Sequence, residues 1–419
     1  MTQRPLAVVL GGTTAHGALI KALKGRGYFT VLVDYLDYPP AKTHADLHVQ
    51  ESTLDPDAVV GVARRLKAKL VLSLAVDQAN VVACLVGERL GLPVPYSSRT
   101  AWLVTDKGLM KDLMRRRNIP TSPFMVVTKE RQAEGHALRW PLVVKPVDAT
   151  GSKGVRCVNT QVEMESYLTE ALALSRAGRA IVEEFVDGTE VQVDYFVQDG
   201  HPHRVMTREK MKADLGSGTV LQSIGSMVPA EMSGAAMAIL DAAAKEIASG
   251  LGLRSTPLFI QAMVLDDKVQ VLEFALRIGG GLSFAMIKRF RGFDIMEAAV
   301  DACLGNRVQV SLAPVQGTRS TCLVYTRPGI FGRVEGIEQL LSSGVIDDFY
   351  LFKTPGMRIG TTMASTDRVA AFIVSANSRG GALEKISQAL ETIKILDEQD
   401  RSLLLRAPTQ KSAIEIYQE

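Results

Sequence analysis

Short apolar runs alternate with amphipathic stretches along the first ninety residues. Leu6 to Leu10 reads as a strand, Gly11 to Gly17 turns the chain into a helix running through Lys24, and Tyr28 to Asp34 forms the next strand. A helix from Asp57 to Lys67, a strand from Leu70 to Leu74 and a helix from Asn80 to Leu90 continue the alternation, and Leu92 to Val94 adds a brief apolar segment. Strands that alternate with helices of this length pair in parallel, because the crossover helix returns the chain to the same end of the sheet. The pattern predicts a Rossmann-like domain over residues 1–96.

Farther along, the pattern changes. A helix begins after Trp102 and ends near Arg117, Asn118-Ile119-Pro120 breaks it, and a strand follows from Phe124 to Val127. The apolar run from Trp140 to Val147 carries Lys145 near its end, then a glycine-containing loop leads to a strand from Val155 to Asn159. Ala180 to Val186 and Glu190 to Val197 read as paired strands around Gly188, with further strands at Pro257 to Met263 and from Val271 to its end at Glu273. The charged run Met206 to Lys212, ahead of Gly216-Ser217-Gly218, reads as a solvated loop. The last third predicts strands at Arg319 to Tyr325, Asp347 to Phe352 and Val369 to Ala376, with helices at Ile337 to Ser342 and Ala382 to Ile395. The fold class is therefore α/β and α+β, with a small α+β cap at the C-terminal end.

Composition narrows the function classes. The chain has 419 residues, 47% of them hydrophobic, enough to bury more than one core. Lys and Arg number 48 against 45 Asp and Glu, a balance that argues against a general nucleic-acid binder. Cys84, Cys157, Cys303 and Cys322 are scattered, so neither a zinc site nor a disulfide framework is expected. No apolar run approaches membrane-spanning length and the N-terminus runs directly into a strand, so a cytoplasmic protein is expected. His16, His44, His48 and His136 read as surface or loop residues.

Several segments carry candidate chemistry. A strand ending in Glu273 can hold a divalent cation, Arg277 follows two pleat periods later, and Gly279-Gly280-Gly281 lets backbone N–H groups approach an anion. The plain alternative is a glycine turn with a surface ion pair. Lys145 at the end of an apolar strand is costly to bury unless it meets an anion, and Thr150, Gly151, Ser152, Lys153 and Gly154 offer N–H groups and hydroxyls to phosphate oxygens. A hairpin whose lysine reaches solvent is the alternative there. Around 183–190, backbone groups and apolar side chains could hold an adenine and Glu190 could take ribose hydroxyls, or the segment is an ordinary hairpin turn. The Gly11 to Gly17 turn lacks G-x-G-x-x-G spacing, so with Asp34 it reads as a tight βα turn shaping a cleft, not as a nicotinamide site.

In order and spacing, Asp106-Lys107, Lys145 with its loop, Glu183-Glu184-Phe185-Val186 with Glu190, and Glu273 with Arg277 to Gly281 resemble the ATP-grasp superfamily, over residues 97–308. The segment before it looks like the domain that usually precedes ATP-grasp domains. Residues 309–419 are similar to the C-terminal domain of biotin carboxylase-like and L-amino-acid ligase-like members. The resemblance implies ATP and Mg2+, or Mn2+ in its place. Lys107, Lys145 and the loop from Thr150 to Gly154 would bind phosphates, Glu183 to Val186 the adenine, and Glu190 the ribose. Glu273 would ligate the metal, and Arg277 with Lys145 would act on the transferred phosphoryl group. Gly280, Gly281 and Ser283, with Arg208 or Lys210, would face the carboxylate substrate.

One departure from the family pattern stands out. Where members carry a second acidic metal ligand and an asparagine, this chain has Gln261 and Ala275, one formal charge fewer, which favours one well-bound ion over two. The resemblance implies an ADP-forming carboxylate–amine ligase acting on small molecules, in a class where homodimers are common. A bicarbonate-using carboxylase and an ATP-binding sensor without turnover are the alternatives.

Overall fold

The computed structural model describes residues 4–129, 138–149, 151, 153–213, 222–361 and 365–404. Thr150, Ser152, His136, Gly216-Ser217-Gly218 and the 410–419 tail lie outside them.

At the N-terminal end, β1 (Leu6–Leu10), α1 (Thr14–Gly25), β2 (Phe29–Asp34), β3 (Leu47–Gln50), α2 (Pro56–Arg65), β4 (Leu70–Leu72) and α3 (Asp77–Leu90) build a parallel sheet of order β3-β2-β1-β4. The predicted alternation appears with two changes. β3 lies at the sheet edge and is partly exposed throughout, so its sequence has no apolar run to reveal it, and Leu92 to Val94 forms no strand.

Next come α4 (Ser98–Thr105), α5 (Lys107–Arg116), β5 (Phe124–Thr128), β6 (Leu142–Pro146), β7 (Arg156–Val158), α6 (Gln161–Leu174) and β8 (Arg179–Glu184). The four strands form an antiparallel sheet, β5-β8-β6-β7, and Met164, Leu168 and Ala171 of α6 pack on Leu142, Val144 and Val182. Asp106 ends α4 and caps α5 by accepting from Leu109 N at 3.0 Å, which starts the new helix at Lys107.

The remaining elements are β9 (Thr189–Gln198), β10 (His201–Ala213), β11 (Gln222–Val228), α7 (Gly234–Gly250), β12 (Thr256–Leu265), β13 (Lys268–Ala275), α8 (Ser283–Arg291) and α9 (Ile295–Cys303), then β14 (Thr318–Val324), β15 (Gly329–Glu335), α10 (Ile337–Ser342), β16 (Asp348–Leu351), β17 (Arg358–Ile359), β18 (Ala370–Ala376), α11 (Arg379–Thr392) and β19 (Lys394–Asp397). Eight of these strands make one antiparallel sheet, β13-β12-β9-β10-β11-β14-β18-β16, which continues across residue 308. The charged run at 206–212 is strand and not the expected loop, because Arg208, Lys210 and Lys212 find partners on one face while Met211 is buried on the other. The last helix stops at Thr392, short of the expected Ile395, where the chain enters β19.

A shared apolar cluster joins the N-terminal sheet to the main sheet. Leu19, Ile20 and Leu23 of α1 and Leu72 of β4 pack with Phe196, Ile287, Met296 and Val300. Arg26 locks the same contact, donating to Asp301 at 2.6 and 2.9 Å and to Glu297 at 2.9 Å. Ile278 N donates to Leu74 O just past β4, so the end of β4 is held beside the segment that leaves β13.

Candidate active site

β9 sorts its side chains by alternation. Val191, Val193 and Tyr195 enter the core with Leu240 and Ile247 of α7, so Glu190, Gln192 and Asp194 share the opposite face. On the neighbouring strands, register aligns Arg208 with Gln192, Gln192 with Gln261, and Gln261 with Glu273. Four polar side chains thus form one row across β10, β9, β12 and β13.

Glu190 lies between Lys210, at 2.7 Å, and Lys212. Burial raises its carboxyl, but the two ammonium groups outweigh burial and hold it at about 2. The side chain expected at ribose hydroxyls is therefore already engaged, and Lys210, expected at a substrate carboxylate, is its partner.

A second charged cluster sits where β6, β8 and α5 meet. Glu183 at the end of β8 forms ion pairs with Lys145 and, at 2.7 Å, with Lys111 of α5, whose ammonium also donates to Ser122 at 2.9 Å. Burial pushes Glu183 up, yet the two lysines hold it down at about 2. Burial also lowers Lys107 and Lys111, while nearby carboxylates including Glu273 oppose that shift. Lys107 donates to the Ala149 carbonyl at the entrance of the 150–154 loop. Glu183 thus serves as an internal counter-ion, and Lys111, absent from the sequence-based set, is part of the cluster. Its only signal was the four-residue spacing from Lys107, which puts both on one helix face.

Beside this cluster, Glu184, Phe185, Val186, Met263, Leu265 and Gln270 help line a cleft of about 240 Å³. Two hydrogen bonds, Glu184 N to Pro123 O and Phe185 N to Pro141 O, both 3.0 Å, fix the linking segment.

The exit of β13 is gripped by the N-terminal region. Asp77 at the start of α3 takes Arg277 in a two-pronged pair at 2.5 and 2.7 Å, and Arg277 lies over the Phe259 ring. Tyr96 donates to Leu276 O at 2.6 Å, Asn80 donates to the Tyr96 hydroxyl at 2.9 Å, and Ile278 N donates to Leu74 O at 3.2 Å. Asp77 and Tyr96 were not found from sequence, because their partners Arg277 and Leu276 lie some two hundred residues away and leave no local pattern, and Asn80 acts only through Tyr96.

Arg208 is buried and points inward, not to solvent. It donates to Gly280 O at 3.1 Å and to Ser283 Oγ at 2.6 Å, and contacts Asp194 at 3.3 Å. Ser283 is fully buried as well, so Arg208 and Ser283 brace the glycine loop and do not line it. A Cβ at Gly279 would lie 2.2 Å from Gln192 Nε2 and 2.7 Å from Asp194 Oδ1, whereas one at Gly280 meets nothing within 4 Å. Gly280 is the open member of the run.

His16 corrects the sequence-based expectation of a surface residue. It is fully buried in α1, with Nδ1 2.8 Å from Thr13 Oγ1 and Nε2 3.2 Å from Ser73 Oγ, and its ring packs where a side chain at Gly11 would be.

Glu273 and Gln261 offer one carboxylate and one amide oxygen from adjacent strands. Among the described residues no group of three or more His, Cys, Asp or Glu side chains could hold a metal ion. Two oxygen donors are few for a dedicated cation site, but would suit Mg2+ that is bound together with phosphate oxygens. Among the described residues, no helix is long and apolar enough to cross a membrane.

Residues 105–281 match the phosphoribosylglycinamide synthetase ATP-grasp (A) domain family, and residues 322–396 match L-amino acid ligase C-terminal domain 2. The carbamoyl phosphate synthase large chain of Corynebacterium glutamicum is 24% identical over 313 residues, covering 70% of this chain and 27% of the synthase. The chain thus spans about a quarter of that relative. Similar solved structures include the L-amino acid ligase from Bacillus licheniformis, at 19% identity and TM-score 0.76, covering 95% of this chain and 100% of that one. Another is the biotin carboxylase domain dimer of the Hydrogenobacter thermophilus 2-oxoglutarate carboxylase with MgADP, ADP and bicarbonate, at 16% identity and TM-score 0.75, covering 94% and 91%. At these identities the likeness establishes the fold.

Proposed function

This chain belongs to the ATP-grasp superfamily, and we propose that it is an ADP-forming ligase that activates a small carboxylic acid or amino acid as an acyl phosphate and joins it to an amine. The observation that carries this is the electrostatic coupling of Lys107, Lys111 and Lys145 with Glu183 and Glu273, and of Glu273 with Arg277, next to the cleft lined by Glu184, Phe185 and Val186.

A carboxylate resists attack by an amine because the leaving group would be oxide. Transfer of the ATP γ-phosphoryl group to a carboxylate oxygen releases ADP. The amine nitrogen then attacks the acyl carbon, the C–O bond electrons leave with phosphate, and the nitrogen loses a proton. Positioning and charge neutralisation dominate such a transfer. Lys107 and Lys145 bind the phosphates, with the glycine loop that follows β6 contributing backbone N–H groups. Glu183 holds Lys145 and Lys111 in place through its two ion pairs. The segment Glu184 to Val186 receives the adenine, while Glu190 acts through the two lysines it holds. Glu273 and the Gln261 amide oxygen would hold Mg2+, which would neutralise phosphate charge there. Arg277, oriented by Asp77, faces the transferred group, and backbone groups at Gly280 and Gly281 receive the acid.

We propose residues 1–96, 97–308 and 309–419 as its units, in a cytoplasmic homodimer. Gln261 in place of a carboxylate favours one alternative, an ATP-binding sensor without turnover. ADP release from Mg-ATP, screened against pairs of amino acids and small carboxylates, separates the cases. Acid-dependent release that rises with an amine supports the ligase, and bicarbonate-dependent release makes the chain a carboxylase. Nucleotide binding without release across the panel makes it a sensor.

A further inference from the structure

The polar row across the main sheet has a direction. Arg208 has only N–H groups and forms an ion pair with Asp194 at 3.3 Å, and its charge opposes the burial that raises the Asp194 carboxyl, so this pair marks one end of the row. Gln192 then presents its amide nitrogen to Asp194, with Nε2 donating to Oδ1 at 2.8 Å. Its carbonyl oxygen must face the other way, and there it accepts from Gln261 Nε2 at 3.2 Å. With its nitrogen committed to Gln192, Gln261 leaves Oε1 as the open end of the row, on the side of its cross-strand neighbour Glu273. Turning either amide over would set two oxygens or two N–H groups against each other inside the protein, which costs the hydrogen bond and adds repulsion.

We infer that Arg208, Asp194 and Gln192 form an orienting relay that turns the Gln261 amide oxygen toward the cation held by Glu273, so that a neutral ligand serves where a second carboxylate would otherwise be needed. The inference rests on the ATP-site reading above and names positioning residues for it. A carboxylate presents an oxygen whichever way it is turned, whereas an amide presents one in only one of two orientations. The glutamine at 261 therefore makes the buried partners at 192, 194 and 208 necessary. The same Arg208 binds Gly280 O and Ser283 Oγ, so the relay that aims the metal ligand also ties down the glycine loop.

The test is Mn2+ titration, followed by electron paramagnetic resonance, of the full chain with a non-hydrolysable ATP analogue. Gln192→Met removes the relay contact and leaves the Arg208–Asp194 pair intact. It should weaken nucleotide-dependent Mn2+ binding by about tenfold, as loss of an orienting partner typically does. In the Gln261→Glu background the same change should have little effect, because glutamate needs no orientation. If Gln192→Met does not fold, Gln192→Asn, too short to bridge both partners, takes its place. Equal Mn2+ affinity with and without Gln192, or a loss that persists beside Gln261→Glu, would overturn the relay while leaving the ATP site standing. No nucleotide-dependent Mn2+ binding by the unaltered chain would overturn the ATP-site reading itself, and the relay with it.

Discussion

Acid should destabilise this protein through one buried side chain, His16. Its Nδ1 accepts from Thr13 N at 3.1 Å, so the ring proton sits on Nε2 toward Ser73. Burial first, and the nearby Arg277 charge second, lower its pKa to about 3. In the unfolded chain the imidazole takes up a proton as pH falls through its ordinary 6.5. The folded protein cannot follow until about pH 3, so stability is lost progressively as pH falls below 6.5. Linkage at roughly 1.4 kcal/mol per pH unit, integrated from about pH 7.5 to about pH 5, gives a loss of about 2 kcal/mol from this residue. His16→Asn retains an acceptor for the Thr13 N–H and cannot titrate. Its lost packing beside Gly11 costs the same at every pH, so the slope isolates the imidazole. Urea unfolding of both proteins across that range should show their stability gap shrinking by about 2 kcal/mol toward the acid end. A gap that stays constant would refute the buried, neutral histidine.

Lys145→Ala should nearly abolish ADP release while nucleotide binding weakens, and full turnover would remove the lysine from the phosphate site. Glu273→Gln should move the Mg2+ dependence of nucleotide binding to higher concentration, and an unchanged titration would place the metal elsewhere. Asp77→Asn keeps the size but removes the charge that holds Arg277, so kcat should fall by about tenfold or more with little change in ATP affinity; equal losses in both would make Asp77 a scaffold residue only. Gly279→Ala forces a Cβ into Gln192, Ser283 and Asp194 and should cost about 1–3 kcal/mol in thermal or urea unfolding, so wild-type stability would show that the loop packs differently.

Local patterns determined a good deal of this protein. The apolar alternation of residues 6–90 dictates a parallel sheet, because period and helix length are written within each segment. Lys107, Lys145, Glu273, Arg277 and the glycine run were visible because charged groups beside apolar strands and consecutive glycines are unusual on short stretches of chain. Glu190, Gln192 and Asp194 were equally visible as alternating polar positions, yet nothing in β9 alone says whether that face meets water or three other strands. Tertiary structure decided this by register: pairing Gln192 with Arg208 on one side and Gln261 on the other turned isolated polar residues into a connected row. Long-range packing likewise made Lys111 a partner of Glu183, brought Asp77 to Arg277, and buried His16 under Gly11 and Ser73. Periodicity and composition act over a few residues and survive in the sequence, whereas a hydrogen bond across two hundred residues depends on which surfaces fold together. The sequence alone therefore specified the N-terminal alternation and most of the chemical groups, while the packed fold decided that the 206–212 run is a strand, which groups touch and which way each one points.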